Sequence, residues 1–281
     1  MAVLELAQAA PLLQQEYREG RLIPFLGAGF SKPLNLPDWS ELIAAMAEPL
    51  GFEPELFMKH GSAEQLAEFF AVAHPNNFER LVYGMARKFN SEEAAQLRKD
   101  SPTHKALASL DRFHTIYTTN FDWHIECALK EAGRKVAVLA SFVDFQDEKE
   151  AGACDVIKFH GTLEMRNTIV LTESSFFERM ALEDAADQRL RADLLSHSFL
   201  FIGYSFSDLN IRYIWYRMHQ LRQRSQARSR VPLKPRKCYF ATHGAGLVQP
   251  MLLEQWNIDV IQLDPEDKTA SVAELLKCIG G

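Results

Sequence analysis

Four short stretches of the 281-residue chain place glycine, hydroxyl, amide, carboxylate and imidazole groups at spacings suited to chemistry. The first is Gly27-Ala28-Gly29-Phe30-Ser31, directly after the apolar run Leu22–Leu26. Two glycines let the backbone turn sharply and approach a ligand, while Ala28 and Ser31 leave room and a hydroxyl for a phosphate or ribose. The pattern Gly-x-Gly-x-x-Gly stops at Lys32, so tight turning without a ligand is an equal reading. The second stretch, Thr118-Thr119-Asn120-Phe121-Asp122, ends the run Thr115–Thr118 and opens a helix. Asn and Asp are ordinary helix caps, and the same amide and carboxylate suit a carboxamide or a ribose. The third is Lys158-Phe159-His160-Gly161, an imidazole at the end of an apolar strand. An imidazole at that position suits a general base; a hydrogen-bonded histidine in a turn is the structural alternative. In the fourth, Gly203-Tyr204-Ser205-Phe206-Ser207-Asp208, helix capping and a ribose or phosphate contact are both open.

The elements that must position these groups are read from hydrophobic periodicity. Strands are expected at Leu22–Leu26, Thr115–Thr118, Val136–Leu139, Val156–Phe159, Thr168–Leu171, Phe199–Ile202, Cys238–Phe240 and Asp259–Leu263. Most are continuously apolar, which fits strands buried on both faces of a parallel sheet. Helical patterns lie between them, at Trp39–Leu50, Ala63–Val72, Asn77–Lys88, Asp122–Glu131, Leu209–Arg224 and Val272–Ile279. The alternation predicts an α/β fold, a doubly wound (Rossmann-like), mostly parallel sheet. All four motifs then fall at the C-terminal ends of strands, where open α/β sheets bind ligands. Residues 38–111 show only helical signals and are read as an insertion within a single domain spanning 1–281. That insertion either caps a pocket or only enlarges the core, in which Phe69, Phe70, Phe78 and Phe89 are expected.

Composition narrows the classes. With 47% hydrophobic and 24% charged residues the chain is globular, not disordered or fibrous. The net charge of −6 argues against a protein that coats nucleic acid over its whole surface. It conceals an asymmetry: Leu209–Leu253 holds nine Lys/Arg and no Asp or Glu, leaving 22 cations against 37 carboxylates elsewhere. The basic stretch from Arg212 to Lys237 reads as a solvated loop or as a local patch for a subunit, a partner or nucleic acid. Tyr213, Trp215 and Tyr216 within it are expected to feed the core or an interface. Asp184, Asp187 and Asp193 are expected on a solvated helix face. The N-terminus carries no basic leader and Glu5 interrupts its apolar run, so it does not read as a signal peptide, and no run is long enough to cross a bilayer. Four scattered cysteines without C-x-x-C exclude a zinc knuckle and fit a cytoplasmic location, and the histidines lack paired ligand spacing, so no metal is expected.

Taken together and in order, G-A-G-F-S, T-T-N-F-D, F-H-G and G-Y-S-F-S-D resemble the sirtuin family, closely its bacterial branch in anti-phage defence systems. The resemblance spans about Leu22 to Leu263. It implies that Gly27, Ala28, Gly29 and Ser31 hold the pyrophosphate of NAD, with Thr118 beside them. It implies further that Asn120 and Asp122 hold the carboxamide and ribose of the nicotinamide half. His160 is implied to act on the ribose hydroxyls, and Gly203, Ser205 and Asp208 to meet the adenosine side. Two departures bear on activity. Deacylating sirtuins carry two C-x-x-C pairs soon after H-G, absent here, and Thr119 replaces their usual Gln. Both are similar to the defence branch, whose members hydrolyse NAD to nicotinamide and ADP-ribose. The expected activity is therefore an NAD glycohydrolase with Asn120, Asp122 and His160 as catalytic residues; the alternatives are an NAD-dependent deacylase and an NAD or ADP-ribose sensor. The resemblance also implies a homo-oligomer, with a HerA-type ATPase or an Argonaute-type protein as a possible recognition partner.

Overall fold

A computed structural model describes residues 3–73, 75–204, 212–213, 215–217, 219–220, 223–224 and 236–281. Ser205 and Asp208 lie outside the described residues, as do the side chain of Phe78 and most of the basic stretch. The strands are β1 (Val3–Glu5), β2 (Leu22–Leu26), β3 (Thr115–Thr118), β4 (Val136–Leu139), β5 (Cys154–Lys158), β6 (Ser198–Ile202), β7 (Cys238–Thr242) and β8 (Ile258–Gln262). They form one sheet in the order β1-β8-β7-β6-β2-β3-β5-β4, and every pairing is parallel. The doubly wound reading therefore holds.

Alternate side chains of each strand enter two different cores, and this explains the continuous apolar runs. On one face Leu22, Leu26, Ile116, Val156 and Ile202 meet helices α1 (Leu6–Arg18), α7 (Pro102–Ala108), α8 (His124–Glu131) and α13 (Lys268–Gly280). On the other Phe25, Tyr117, Ile157, Phe159 and Phe201 pack as an aromatic layer under α11 (Ala185–Ser196) and α12 (Val248–Gln255). Trp215 enters this layer edge-on to Phe201, so its core assignment holds, whereas Tyr216 is half exposed.

Between β2 and β3 the chain is helical, with α2 (Trp39–Ala44), α3 (Pro54–Phe57), α4 (Ala63–Ala73), α5 (Pro75–Phe89), α6 (Glu92–Asp100) and α7 in succession. These helices have their own core, which includes Phe70 and Phe89, while Phe69 is 48% exposed on the outer side of α4. Thr168–Leu171 is not a strand. A tight turn at Arg166–Thr168 precedes it, and Leu171 is apolar because it plugs the helical core, not because it pairs in the sheet. β1 went unread because three residues carry no detectable period. Asp187 and Asp193 are buried, contrary to expectation: Asp187 pairs with Arg179 at 2.8 Å, and Asp193 accepts the Tyr117 hydroxyl at 2.8 Å.

Candidate active site

The chain leaves β2 toward β3 on one side and leaves β6 toward β7 on the other, so the crevice between these two strand ends is a topological switch point. Its floor is a crossing of glycines. Gly29 N–H donates to the Gly203 carbonyl at 2.9 Å, and Gly27 N–H donates to the Ile202 carbonyl at 2.9 Å. Gly203 has φ +70°, and a Cβ there would lie 2.2 Å from the Phe30 nitrogen. A Cβ on Gly29 would lie 2.9 Å from the Gly203 Cα. Gly29 and Gly203 thus let two loops touch backbone to backbone, the turning role that the sequence left open.

Above this crossing lies a cavity of about 400 Å³, in the size range of small-molecule sites. Ala28, Ser31, Asn120, Asp122, His160 and Gly203 all line it. Residues more than 170 positions apart in the chain are brought to one cleft because each follows a strand of the same parallel sheet. Thr118 sits beneath. Its hydroxyl donates to the Leu26 carbonyl at 2.9 Å and accepts the Asn120 N–H at 3.0 Å, pinning the second motif to the end of β2.

Three polar side chains form a short relay. The Asn120 amide nitrogen donates to Ser31 Oγ at 3.0 Å, and Ser31 donates to Asp122 Oδ2 at 3.3 Å. Asp122 Oδ1 accepts the His124 N–H at 3.0 Å, so Asp122 bonds the start of α8 from one residue further out than a regular cap. With its nitrogen committed to Ser31, Asn120 has its acceptor Oδ1 left, which is buried and has no hydrogen-bond partner among the described residues. His160 is held from its backbone. Its carbonyl accepts the Val170 N–H at 2.9 Å, and Gly161 at φ +84° turns the chain beneath Thr168, where a Cβ would strike the Thr168 carbonyl.

The remaining walls were not foreseen. Helix α2 and the loop before it contribute Leu36, Pro37, Asp38, Trp39 and Leu42, and α4 contributes Ala63 and Glu64. The segment between β2 and β3 therefore walls the cleft, one of its two readings. Trp39 stacks near Phe121 at 6.5 Å, and Phe176 of α10 (Glu173–Met180) meets the His160 ring edge-on at 5.4 Å. The only signal for this aromatic lining was Phe121, set between Asn120 and Asp122. Asp38, Glu64 and Asp122 line the space, and Lys32 at 2.8 Å holds Asp38 below its ordinary pKa. Among the described residues no group of three or more His, Cys, Asp or Glu is placed to share a metal ion. No helix among them is long and apolar enough to cross a membrane.

Comparison with known proteins adds an independent line. The family model described as SIR2-like domain matches residues 114–261. "NAD(+) hydrolase ThsA" of Bacillus cereus (strain MSX-D12) is 28% identical over 214 residues, 76% of this chain and 43% of that protein. The protein of the same name from Acinetobacter baumannii (strain 532279) is 30% identical over 204 residues, 71% of this chain and 39% of that protein. "Defense-associated sirtuin 2" of Bacillus subtilis is 22% identical over 213 residues, 74% of this chain and 20% of that protein. The chain spans less than half the length of the curated relatives it matches.

Proposed function

We propose that this chain, which belongs to the SIR2-like domain family, hydrolyses NAD at the bond between nicotinamide and ribose. The observation that carries the reading is the convergence of Asn120, Asp122 and His160 on one aromatic-walled cleft above the glycine crossing. Relatives named as NAD(+) hydrolases support the choice of substrate and reaction.

The chemistry follows from the groups in the cleft. NAD carries a pyridinium ring, and Asp122 and Glu64 among the lining residues favour that charge. Breaking the C–N bond returns the electron pair to the ring, so nicotinamide leaves neutral and an oxocarbenium-like ribose remains. Asn120 Oδ1, buried and without a hydrogen-bond partner among the described residues, is placed to accept from a ribose hydroxyl or from the water that attacks C1′. His160 takes the proton released as water adds, and general base help of this kind contributes on the order of 10²–10⁴ in rate. The balance is NAD and water in, nicotinamide, ADP-ribose and a proton out. Ala28 and Gly203 line the end of the cleft assigned to the pyrophosphate and adenosine half; Ser205 and Asp208 complete that assignment.

Nicotinamide release by purified protein, followed by chromatography, tests the proposal. Asn120→Ala and His160→Ala are each expected to lose at least 100-fold in kcat. Full activity in both variants would falsify the assignment, and O-acyl-ADP-ribose formed from an acyl-peptide would mark a deacylase instead. At the level of the cell we propose an effector of anti-phage defence that depletes cytoplasmic NAD without a metal. It would act as a homo-oligomer with an ATPase or Argonaute-type partner supplying recognition. A relative's name and the family resemblance support the defence role.

A further inference from the structure

Lys158 ends β5 two residues before His160, and it is 1% exposed. Its ammonium donates to the backbone carbonyl of Asp122 and lies 3.1 Å from Glu126 Oε1 on the first turn of α8. Glu126 is 3% exposed, so both charges are out of water. Burying such a pair is a weak way to stabilise a fold, because apolar residues of similar volume often do as well. The rest of β5 is buried, and an apolar residue at its end would suit the packing. The cation has a task that packing does not explain.

That task is visible in the backbone. The tie between the ends of β3 and β5 is the Phe159 N–H bond to the Thr118 carbonyl at 2.7 Å. Past Thr118 the chain leaves the sheet and carries Asn120 and Asp122 over the cleft before α8 begins. The Asp122 side chain is engaged by His124 and Ser31, and its carbonyl is engaged by Lys158. Resting on the NAD-hydrolysis reading above, the geometry points to Lys158 as a positioning residue. It clips the loop of Asn120 and Asp122 to the strand that delivers His160, and so fixes the distance between the two halves of the reacting constellation. Misplacement of reacting groups by about 1 Å costs on the order of 100-fold in rate.

Two variants separate the clip from the stability of the ion pair. Lys158→Met with Glu126→Leu removes both charges and keeps volume. Glu126→Gln keeps the ammonium on the Asp122 carbonyl and removes only the counter-ion. Nicotinamide release from NAD is measured for both, with the folded fraction taken from the stoichiometry of ADP-ribose binding by calorimetry. The double variant is expected to lose 10- to 100-fold in kcat per folded site, with KM changed less than threefold. Glu126→Gln is expected to keep kcat within threefold while unfolding at a lower temperature. The clip is overturned if the folded double variant keeps the parent kcat, or if Glu126→Gln loses as much as the double variant. Should the double variant not fold, Lys158→Met alone is measured per folded site: a kcat within threefold of the parent overturns the clip, and a 10- to 100-fold loss supports it. Unaltered protein that binds NAD without releasing nicotinamide refutes the hydrolase reading, a result distinct from either of these.

Discussion

Acid should unfold this protein in part through a single side chain, His104. Its ring is 1% exposed, its Nδ1 lies 2.9 Å from Ser101 Oγ, and it packs 4.8 Å from the Phe30 ring under the loop that bears Ala28. Burial lowers its pKa from 6.5 to about 4, with Asp122 opposing in part. Between those values the unfolded chain binds a proton that the folded chain refuses. The contribution of His104 is therefore complete above pH 6.5 and is lost as the pH falls toward 4. The loss runs at up to about 1.4 kcal/mol per pH unit and reaches about 3 kcal/mol in all. His104→Gln keeps a hydrogen-bonding group near Ser101 and does not titrate. Urea unfolding of both proteins at half-unit steps from pH 7.5 to 4 gives the difference in unfolding free energy. Groups common to both cancel in that difference, including Asp187, whose carboxyl burial raises to about 6 and whose pH dependence has the opposite sign. The parent's stability relative to the variant should fall by about 3 kcal/mol across the range. A difference that stays constant from pH 7 to 4 would refute the buried, neutral His104.

Other outcomes follow from the cleft. Gly203→Ala places a methyl group against the Phe30 nitrogen at a positive φ and should destabilise the fold by about 3 kcal/mol, read as a lower urea midpoint at unchanged slope. Ser31→Ala removes the hydroxyl between Asn120 and Asp122 and should lower kcat/KM for NAD by about tenfold, since a buried donor loses its partner; unchanged kcat/KM would show that the relay does not orient Asn120.

Much of the sheet was legible because a parallel strand covered on both faces must be apolar throughout. β2, β3 and β6 emerge nearly to the residue from this rule, and with β5 they carry the motifs at their C-terminal ends, whereas β4 is an apolar but half-exposed edge strand. The rule fails where apolarity has another cause. Thr168–Leu171 is apolar because it faces the helical core, and Val3–Glu5 pairs with Val260–Gln262 without a pattern of its own. Of the site, the polar groups were readable as types at spacings, but their mutual contacts were not. Nothing local ties Ser31 to Asn120, and nothing predicts that Lys158, at a strand end where lysine is ordinarily solvated, turns inward to Asp122. Asp187 and Asp193 misled for the same reason: a carboxylate on a helix defaults to water unless a distant arginine or tyrosine claims it.

The glycine crossing has a temporal consequence. β2 pairs only with strands made much later, Phe25 opposite Tyr117 and opposite Phe201. At ribosomal speeds of 5–20 residues per second, the loop of Gly27 waits roughly 10–35 s for Gly203 to be synthesised. Until then it has neither the carbonyl of Gly203 nor that of Ile202 to bind. A nascent or truncated chain ending before β6 holds Asn120 and His160 but no closed cleft between them. The order of synthesis therefore withholds the cleft that the proposed NAD hydrolysis requires until β6 has been made.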